Sequence, residues 1–205
     1  MNRPTVVHLI DDDEAVLHAL GHFLEANALK VKRYGLAGAF VEQLPIAAGS
    51  ECVVSDVRMP GMSGLDLMKV MAAKSPEVPL ILITGHGDIE MAVTAIKAGA
   101  YDFLEKPFDE SRLLKAIESS TAAASARQSA VHVLSVLRER RSELSERQQQ
   151  VMDLAVRGRT NKEIGGELGI SPRTVEIYRA KVMERIGAKT LAELVRIAIR
   201  LEEAN

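Results

Sequence analysis

Four apolar segments in the first half of the chain each end on a reactive polar residue. Val6-Val7-His8-Leu9-Ile10 ends on Asp11-Asp12, Cys52-Val53-Val54-Ser55 on Asp56, and Leu80-Ile81-Leu82-Ile83 on Thr84. Tyr101-Asp102-Phe103-Leu104 leads through Glu105 to Lys106, which Pro107 follows. If these are parallel strands of one sheet, three acids, a hydroxyl and a lysine meet at its carboxyl edge. That edge is where open parallel sheets bind ligands. Strand patterns at 5–10, 30–34, 51–56, 79–84 and 101–105 alternate with helix patterns at 14–27, 36–44, 64–74, 88–98 and 110–124. The alternation predicts a parallel sheet with helices on both faces.

The pattern changes twice further on. Ser119 to Ala126 is rich in Ala, the best helix former, and contains neither Pro nor Gly. This reads as a helical linker rather than a flexible coil. Val131, Leu134 and Leu137 add a short apolar stripe, too short for a coiled coil. From residue 144 strand patterns stop. Ser145-Glu146-Arg147-Gln148, Thr160-Asn161-Lys162-Glu163 and Thr190-Leu191-Ala192-Glu193 fit the capping box, in which the first and fourth side chains each bond the other's backbone N–H. Ser171-Pro172 supplies an N-cap with Pro at the first helical position. Four short helices are expected near 146–157, 161–168, 172–186 and 190–202. The expected division is a first domain over 1–124, a helical linker over 125–142 and an all-α domain over 143–205.

Composition narrows the setting. Apolar residues make up 47% of the chain, enough for real cores, but the apolar runs fall far short of a membrane span. No basic region followed by an apolar stretch opens the sequence, so no secretory signal is expected. The single cysteine excludes an internal disulfide and a cysteine-based zinc site. Together these point to a cytoplasmic protein without a membrane partner. Charge divides unevenly. Residues 1–137 hold 12 Lys/Arg against 17 Asp/Glu, a balance of −5, while residues 138–205 hold 14 against 11, a balance of +3. That asymmetry permits a nucleic-acid-binding tail.

The chemistry of the first domain follows from its clustered acids. Carboxylates a few ångströms apart raise one another's pKa. Mg²⁺ relieves the repulsion, taking one or two carboxylates and leaving positions for water and phosphate. Asp56 is then a candidate nucleophile toward a phosphoryl donor. Lys106 offers a point charge for phosphoryl oxygens, and the Thr84 hydroxyl a hydrogen bond. Other motifs lead nowhere. Asp11-Asp12-Asp13-Glu14 lacks the glycine and terminal Glu of an EF-hand loop. His18 and His22 have metal-capable spacing, but Ala19 replaces the Glu of HExxH. Gly85-His86-Gly87 lacks the third glycine of the dinucleotide fingerprint.

Asn161 to Lys181 carries a helix-turn-helix pattern. Ile164, Leu168, Ile170, Val175 and Tyr178 recur at core spacing, and Gly169 falls at the turn. Gly165 and Gly166 sit inside the first helix, each costing about 1 kcal/mol relative to Ala, which implies a close helix approach or strain there. On the second helix Arg173, Thr174, Glu176, Ile177, Ala180 and Lys181 point away from the Val175/Val182/Ile186 face. Placed in a major groove, Arg173, Arg179 and Lys181 meet phosphates or guanine edges, and Ile177 a thymine methyl. Thr160, Asn161 and Lys162, at the start of the preceding helix, are further candidates for DNA contact, Lys162 chiefly with the backbone.

Residues 3–124 resemble the receiver domain of two-component response regulators. The resemblance rests on Ile10-Asp11-Asp12-Asp13, Ser55-Asp56-Val57-Arg58-Met59-Pro60-Gly61-Met62-Ser63-Gly64, Ile83-Thr84-Gly85-His86-Gly87-Asp88 and Phe103-Leu104-Glu105-Lys106-Pro107-Phe108. It implies a flavodoxin-like five-strand sheet of order 2-1-3-4-5. It also implies phosphorylation at Asp56 by a cognate histidine kinase, and Mg²⁺ held by Asp11, Asp12, Asp56 and the Arg58 carbonyl. Thr84, Phe103 and Lys106 fall on the family's switch and signalling positions, and Lys106-Pro107 on its cis peptide. Residues 143–203 resemble the NarL/LuxR class of DNA-binding domains through Leu144 to Met152, Asn161 to Ile164 and Gly169 to Glu176. Gly165 stands where Ala is usual, Tyr178 where His is common and Lys181 for a frequent Asn. The whole chain is thus similar to FixJ-type regulators, which implies dimerisation on phosphorylation, promoter DNA as target and RNA polymerase as a further partner.

Two alternatives remain at this point. A haloacid-dehalogenase-like phosphatase also places an Asp after its first strand, and Asp11-x-Asp13 mimics its opening motif, but it leaves Asp56 and the C-terminal helices unexplained. The second alternative is a receiver whose helical tail binds only protein.

Overall fold

The structure, a computed structural model, describes residues 4–47, 49–85 and 89–204. His86, Gly87 and Asp88 of the motif after Thr84 lie outside them. The chain falls into two compact units, Met1–Gln128 and Ser129–Asn205.

The first unit carries strands β1 (Val6–Ile10), β2 (Lys30–Tyr34), β3 (Glu51–Asp56), β4 (Leu80–Thr84) and β5 (Asp102–Glu105). All pair in parallel, in the order β2-β1-β3-β4-β5. Helices α1 (Glu14–Ala26), α2 (Ala37–Val41), α3 (Gly64–Lys74) and α4 (Ile89–Lys97) link the strands, and α5 (Glu110–Ser142) follows. Successive strand residues point to opposite faces, and here both faces are apolar. Val7, Leu9, Cys52, Val54, Ile81 and Ile83 pack with Leu17, Leu20 and Leu24 of α1 and Leu113 and Ile117 of α5. Ile10, Val53, Leu80 and Leu82 pack with Phe40 of α2, Leu67 and Met71 of α3 and Ala95 of α4. A strand buried on both sides reads as a continuous apolar run, which is why these segments stood out. Leu24 is fully buried; such a side chain contributes about 2 kcal/mol through burial.

Two local devices shape the carboxyl edge. Asp13 caps α1, its side chain accepting from the Ala15 and Val16 N–H groups. Gly64 opens α3 so close to β3 that a Cβ there would lie 2.4 Å from the Asp56 carbonyl oxygen. Its own N–H donates to Val57 at 2.9 Å.

The expected helix over 110–124 and the linker after it form one helix, α5. Its hydroxyl residues do not break it, because Ser120 and Thr121 bond back to the Ile117 carbonyl. The second unit adds α6 (Glu146–Val156), α7 (Asn161–Leu168), α8 (Pro172–Ile186) and α9 (Leu191–Glu203). Leu144, Met152, Val182, Ile186, Leu194 and Ile197 build one core cluster; Val151, Ile164 and Val175 build another, flanked by Leu168, Ile170 and Tyr178. Of the linker stripe, Leu137 is buried while Val131 is exposed. Complete capping boxes start α6 and α7. The third expected box is only half made. Thr190 accepts from the Glu193 N–H, but the Glu193 carboxylate bonds the Lys189 N–H, one residue upstream of the cap.

Candidate functional sites: an acidic strand-end pocket and a helix-turn-helix face

The sheet register brings the reactive strand ends together. Ile10 pairs with Ser55, Asp56 with Ile83, and Thr84 with Glu105, so Asp11, Asp56, Thr84 and Lys106 follow one another along the carboxyl edge. Asp11, Asp56 and Thr84 are buried. Lys106 Nζ lies 2.9 Å from Asp11 Oδ2 and 2.9 Å from Asp56 Oδ1, spanning the two acids. The remaining oxygens are also used: Asp11 Oδ1 accepts from the Asp13 N–H at 3.0 Å, and Asp56 Oδ2 from the Arg58 N–H at 2.6 Å. The Lys106-Pro107 peptide is cis, as the resemblance implied.

Burial raises the Asp11 carboxyl above its ordinary pKa, and its bonds to Lys106 and the Asp13 N–H offset this only in part. Burial also opposes charge on Lys106, but its two carboxylate partners outweigh it and hold the ammonium protonated. The pocket is therefore a compact acid–ammonium–acid array short of positive charge. Asp12 stands exposed beside it. Among the described residues no three His, Cys, Asp or Glu side chains are grouped as a ready metal site, and Lys106 bridges Asp11 and Asp56. The donor chemistry nonetheless suits a hard cation: every candidate ligand is oxygen, and the buried carboxylates carry charge that a cation would relieve. Phe103 is half-buried against the core cluster under α3 and α4. Gly85 has open space where a side chain would begin.

A group that the sequence pattern did not single out supports the pocket from below. His8 is fully buried in β1. Its Nε2 lies 2.7 Å from Glu51 Oε2 and its Nδ1 3.2 Å from the Tyr34 hydroxyl. Burial lowers the His8 pKa despite the Glu51 carboxylate. The Tyr34 carbonyl accepts the Asp11 N–H at 3.1 Å, so the network ends on the residue that carries the acid. Its only sequence signal was a histidine inside an apolar strand. Glu51 lies two residues before Val53, the strand partner of His8, and so on the same face.

The second unit presents a helix-turn-helix. Gly169 ends α7 in the left-handed region, φ 67°, where glycine carries no penalty. Gly165 explains its own presence: a Cβ would sit 2.7 Å from the Ile170 carbonyl oxygen, whereas Gly166 meets nothing within 4 Å. The close approach thus belongs to Gly165 alone. Val175, Val182 and Ile186 are buried, and Arg173, Glu176, Ile177, Ala180 and Lys181 are exposed, as the spacing required. Lys162 is exposed in the first turn of α7, and Thr160 caps that helix through Glu163. Several candidates on α8 already have side-chain partners. Thr174 is half-buried and shares a 2.8 Å hydrogen bond with Ser171. Arg179 is held by Asn161 at 2.7 Å, tying α8 to α7. Arg173 pairs with Glu176 at 2.9 Å on the surface.

Comparison with known proteins agrees with both halves. Residues 7–118 match the family described as the response regulator receiver domain, and residues 142–198 match the luxR family of bacterial regulatory proteins. The chain belongs to the response regulators that join a receiver domain to a LuxR-type DNA-binding domain, and it is a transcription regulator under phosphorylation control. Within that class it is 45% identical to the transcriptional regulatory protein FixJ of Azorhizobium caulinodans, over 94% of this chain and 91% of FixJ. It is 40% identical to the response regulator TodT of Pseudomonas putida, over 99% of this chain and 89% of TodT. The solved structure of the response regulator StyR matches with a TM-score of 0.84 at 39% identity, covering 96% of this chain and 99% of that one. Among the described residues no helix is long and apolar enough to cross a membrane.

Proposed function

We propose that Asp56 is the phosphoacceptor and that the division of labour is a receiver over 1–124, a helical linker over 125–142 and a DNA reader over 143–205. The observation that carries this is Lys106, held 2.9 Å from Asp56 at the edge where Asp11 and Thr84 also end. One Asp56 oxygen attacks the phosphorus of a histidine kinase's phosphohistidine; the O–P bond forms as the N–P bond breaks, and the imidazole leaves. Asp11, Asp12, Asp56 and the Arg58 carbonyl would hold Mg²⁺, whose charge offsets that of the carboxylates and phosphoryl oxygens. Lys106 and Thr84 then bind the new phosphoryl oxygens, and Phe103 follows Thr84. Such contacts shift the domain by the energy they gain in one state over the other. Exposed Val93 and Ile96 on α4 and Tyr101 just before β5 support dimerisation through this face. The paired readers, acting in the cytoplasm, bind promoter DNA and engage RNA polymerase.

The test is acetyl phosphate with Mg²⁺, read by intact mass and by sedimentation. Wild type should gain one phosphoryl group and dimerise, and Asp56→Asn should gain none. Phosphate on Asp56→Asn at the wild-type rate would move the acceptor elsewhere. Lys106→Ala and Thr84→Ala should take phosphate but dimerise poorly.

A further inference from the structure

A helix lying in a major groove has a phosphate strand on each side. The groove is about 12 Å wide and a helix with its side chains about 10–12 Å across, so both flanks come near phosphates. The start of α7, with Lys162, serves one flank of α8, and Arg179 marks that side through its bond to Asn161. Lys181 follows Arg179 by two residues, roughly 200° around the helix axis at 3.6 residues per turn. It therefore projects from the opposite flank.

On that flank lies a cleft of 610 Å³ lined by Arg140, Gln148, Lys181, Glu184, Arg185 and Gly187. Three cations face one carboxylate. Arg140 Nη1 donates to the Ile186 carbonyl at 3.1 Å. A Cβ on residue 187 would come within 2.6 Å of that nitrogen, so Gly187 makes room for the guanidinium. A guanidinium has five N–H donors, and this bond uses one. Arg185 pairs with Glu143 at 2.9 Å, but both side chains are about half exposed, and water weakens such a pair. The exposed strip Arg173, Ile177, Lys181 leads along α8 into the cleft, which fits a polymer passing over it better than a small anion.

We infer that Arg140, Lys181 and Arg185 anchor the second phosphate strand of the bound duplex. The inference rests on the reading of α8 as the DNA-reading helix. It assigns the end of α5 a contact with DNA and makes the flanks of α8 equivalent: Lys162 grips one strand, the cleft the other. Neither flank reads bases, so the cleft sets affinity and salt dependence and leaves sequence preference to Arg173, Glu176 and Ile177.

Gln148 allows a test that spares the fold. Its Oε1 accepts from the Ser145 N–H at 2.9 Å in the capping box of α6, a role Glu fills equally well. Gln148→Glu thus keeps the cap while adding a negative charge to the cleft. Gln150→Glu is the control: it has the same charge on the same helix, outside the cleft, beside Arg147. Full-length protein is titrated with a duplex selected from a random pool and with a scrambled duplex, from about 50 to 300 mM salt. Gln148→Glu should weaken binding to both duplexes about tenfold at the lowest salt, and Gln150→Glu by about twofold or less. Arg185→Gln should lower the salt slope by about one phosphate contact. Equal effects of Gln148→Glu and Gln150→Glu, or a changed preferred sequence in Gln148→Glu, would overturn the anchor. So would unaltered DNA binding with lost binding to RNA polymerase, which would make the cleft a protein-docking site. If the wild type binds no duplex at all, the DNA reading of α8 fails first and the anchor with it; wild-type binding with indistinguishable variants removes the anchor alone.

Discussion

Asp11 and Arg173 each carry a side chain built for charge, yet the protein holds them in opposite ways. Asp11 is 2% exposed, with both oxygens occupied by Lys106 and the Asp13 N–H. The Arg173 side chain is 83% exposed, with one surface partner. The difference separates two kinds of functional site. A pocket that receives a phosphoryl group must gather like charges where water is scarce, so it works against the stability of its own fold. A face that reads DNA meets its partner in solvent, so its charges cost the fold almost nothing. The receiver therefore carries the energetic burden, and the reader only has to keep its helices in register.

The sharpest test of this contrast is Gly64, whose missing side chain lets α3 start against the Asp56 carbonyl. Gly64→Ala should cost about 3 kcal/mol in urea unfolding of the receiver and slow phosphorylation. An unchanged midpoint would mean that the pocket's backbone is loosely held. The reader offers a matched pair of smaller size. Gly165→Ala should lose about 2 kcal/mol against the Ile170 carbonyl, whereas its neighbour Gly166→Ala should gain about 0.5–1 kcal/mol from helix propensity. Changes of the same sign at both positions would break the account of the turn.

Asp11→Asn comes next. Removing one buried charge while Lys106 keeps Asp56 should stabilise the receiver by about 1 kcal/mol at neutral pH. The folded Asp11 pKa lies above its unfolded value, so the ionised form is disfavoured by folding. The penalty is absent below the unfolded pKa near 3.8 and present above the folded one. The gain should therefore fade as pH falls through that window in paired denaturation curves. The smallest effect is expected on the reader's surface: Lys162→Ala should change stability by less than about 0.5 kcal/mol while lowering the salt slope of DNA binding by about one contact. A stability loss comparable to that of Gly165→Ala would erase the distinction between the two sites.

The same contrast governs what the sequence disclosed. Strands buried on both faces are long apolar runs, so β1, β3 and β4 announced themselves, and with them the residues at their ends. Caps and turn glycines marked α6, α7 and α8 closely. Pairings that need three dimensions were hidden. Nothing in the order of residues says that Lys106 spans Asp11 and Asp56 or that Arg179 is committed to Asn161. Nothing local says that Glu193 reaches past its cap. The continuous α5 was hidden for another reason. Two adjoining helical stretches without a breaker are one helix, yet a change of composition at Ser119 looked like a boundary.

The half-buried bond between His8 and Tyr34 has a practical use. The chain contains no tryptophan and three tyrosines, so its ultraviolet emission comes from few sources. Tyr34 lies with its ring 5.8 Å from the imidazole and 5.4 Å from Phe40, and burial raises its phenol pKa above the ordinary value. Tyr101 and Tyr178 sit on other parts of the molecule. A phenolate absorbance titration of Tyr34→Phe against wild type isolates one chromophore, and the late ionisation of that single ring gives an intrinsic optical gauge of whether β1 and β2 are still paired, with no dye attached.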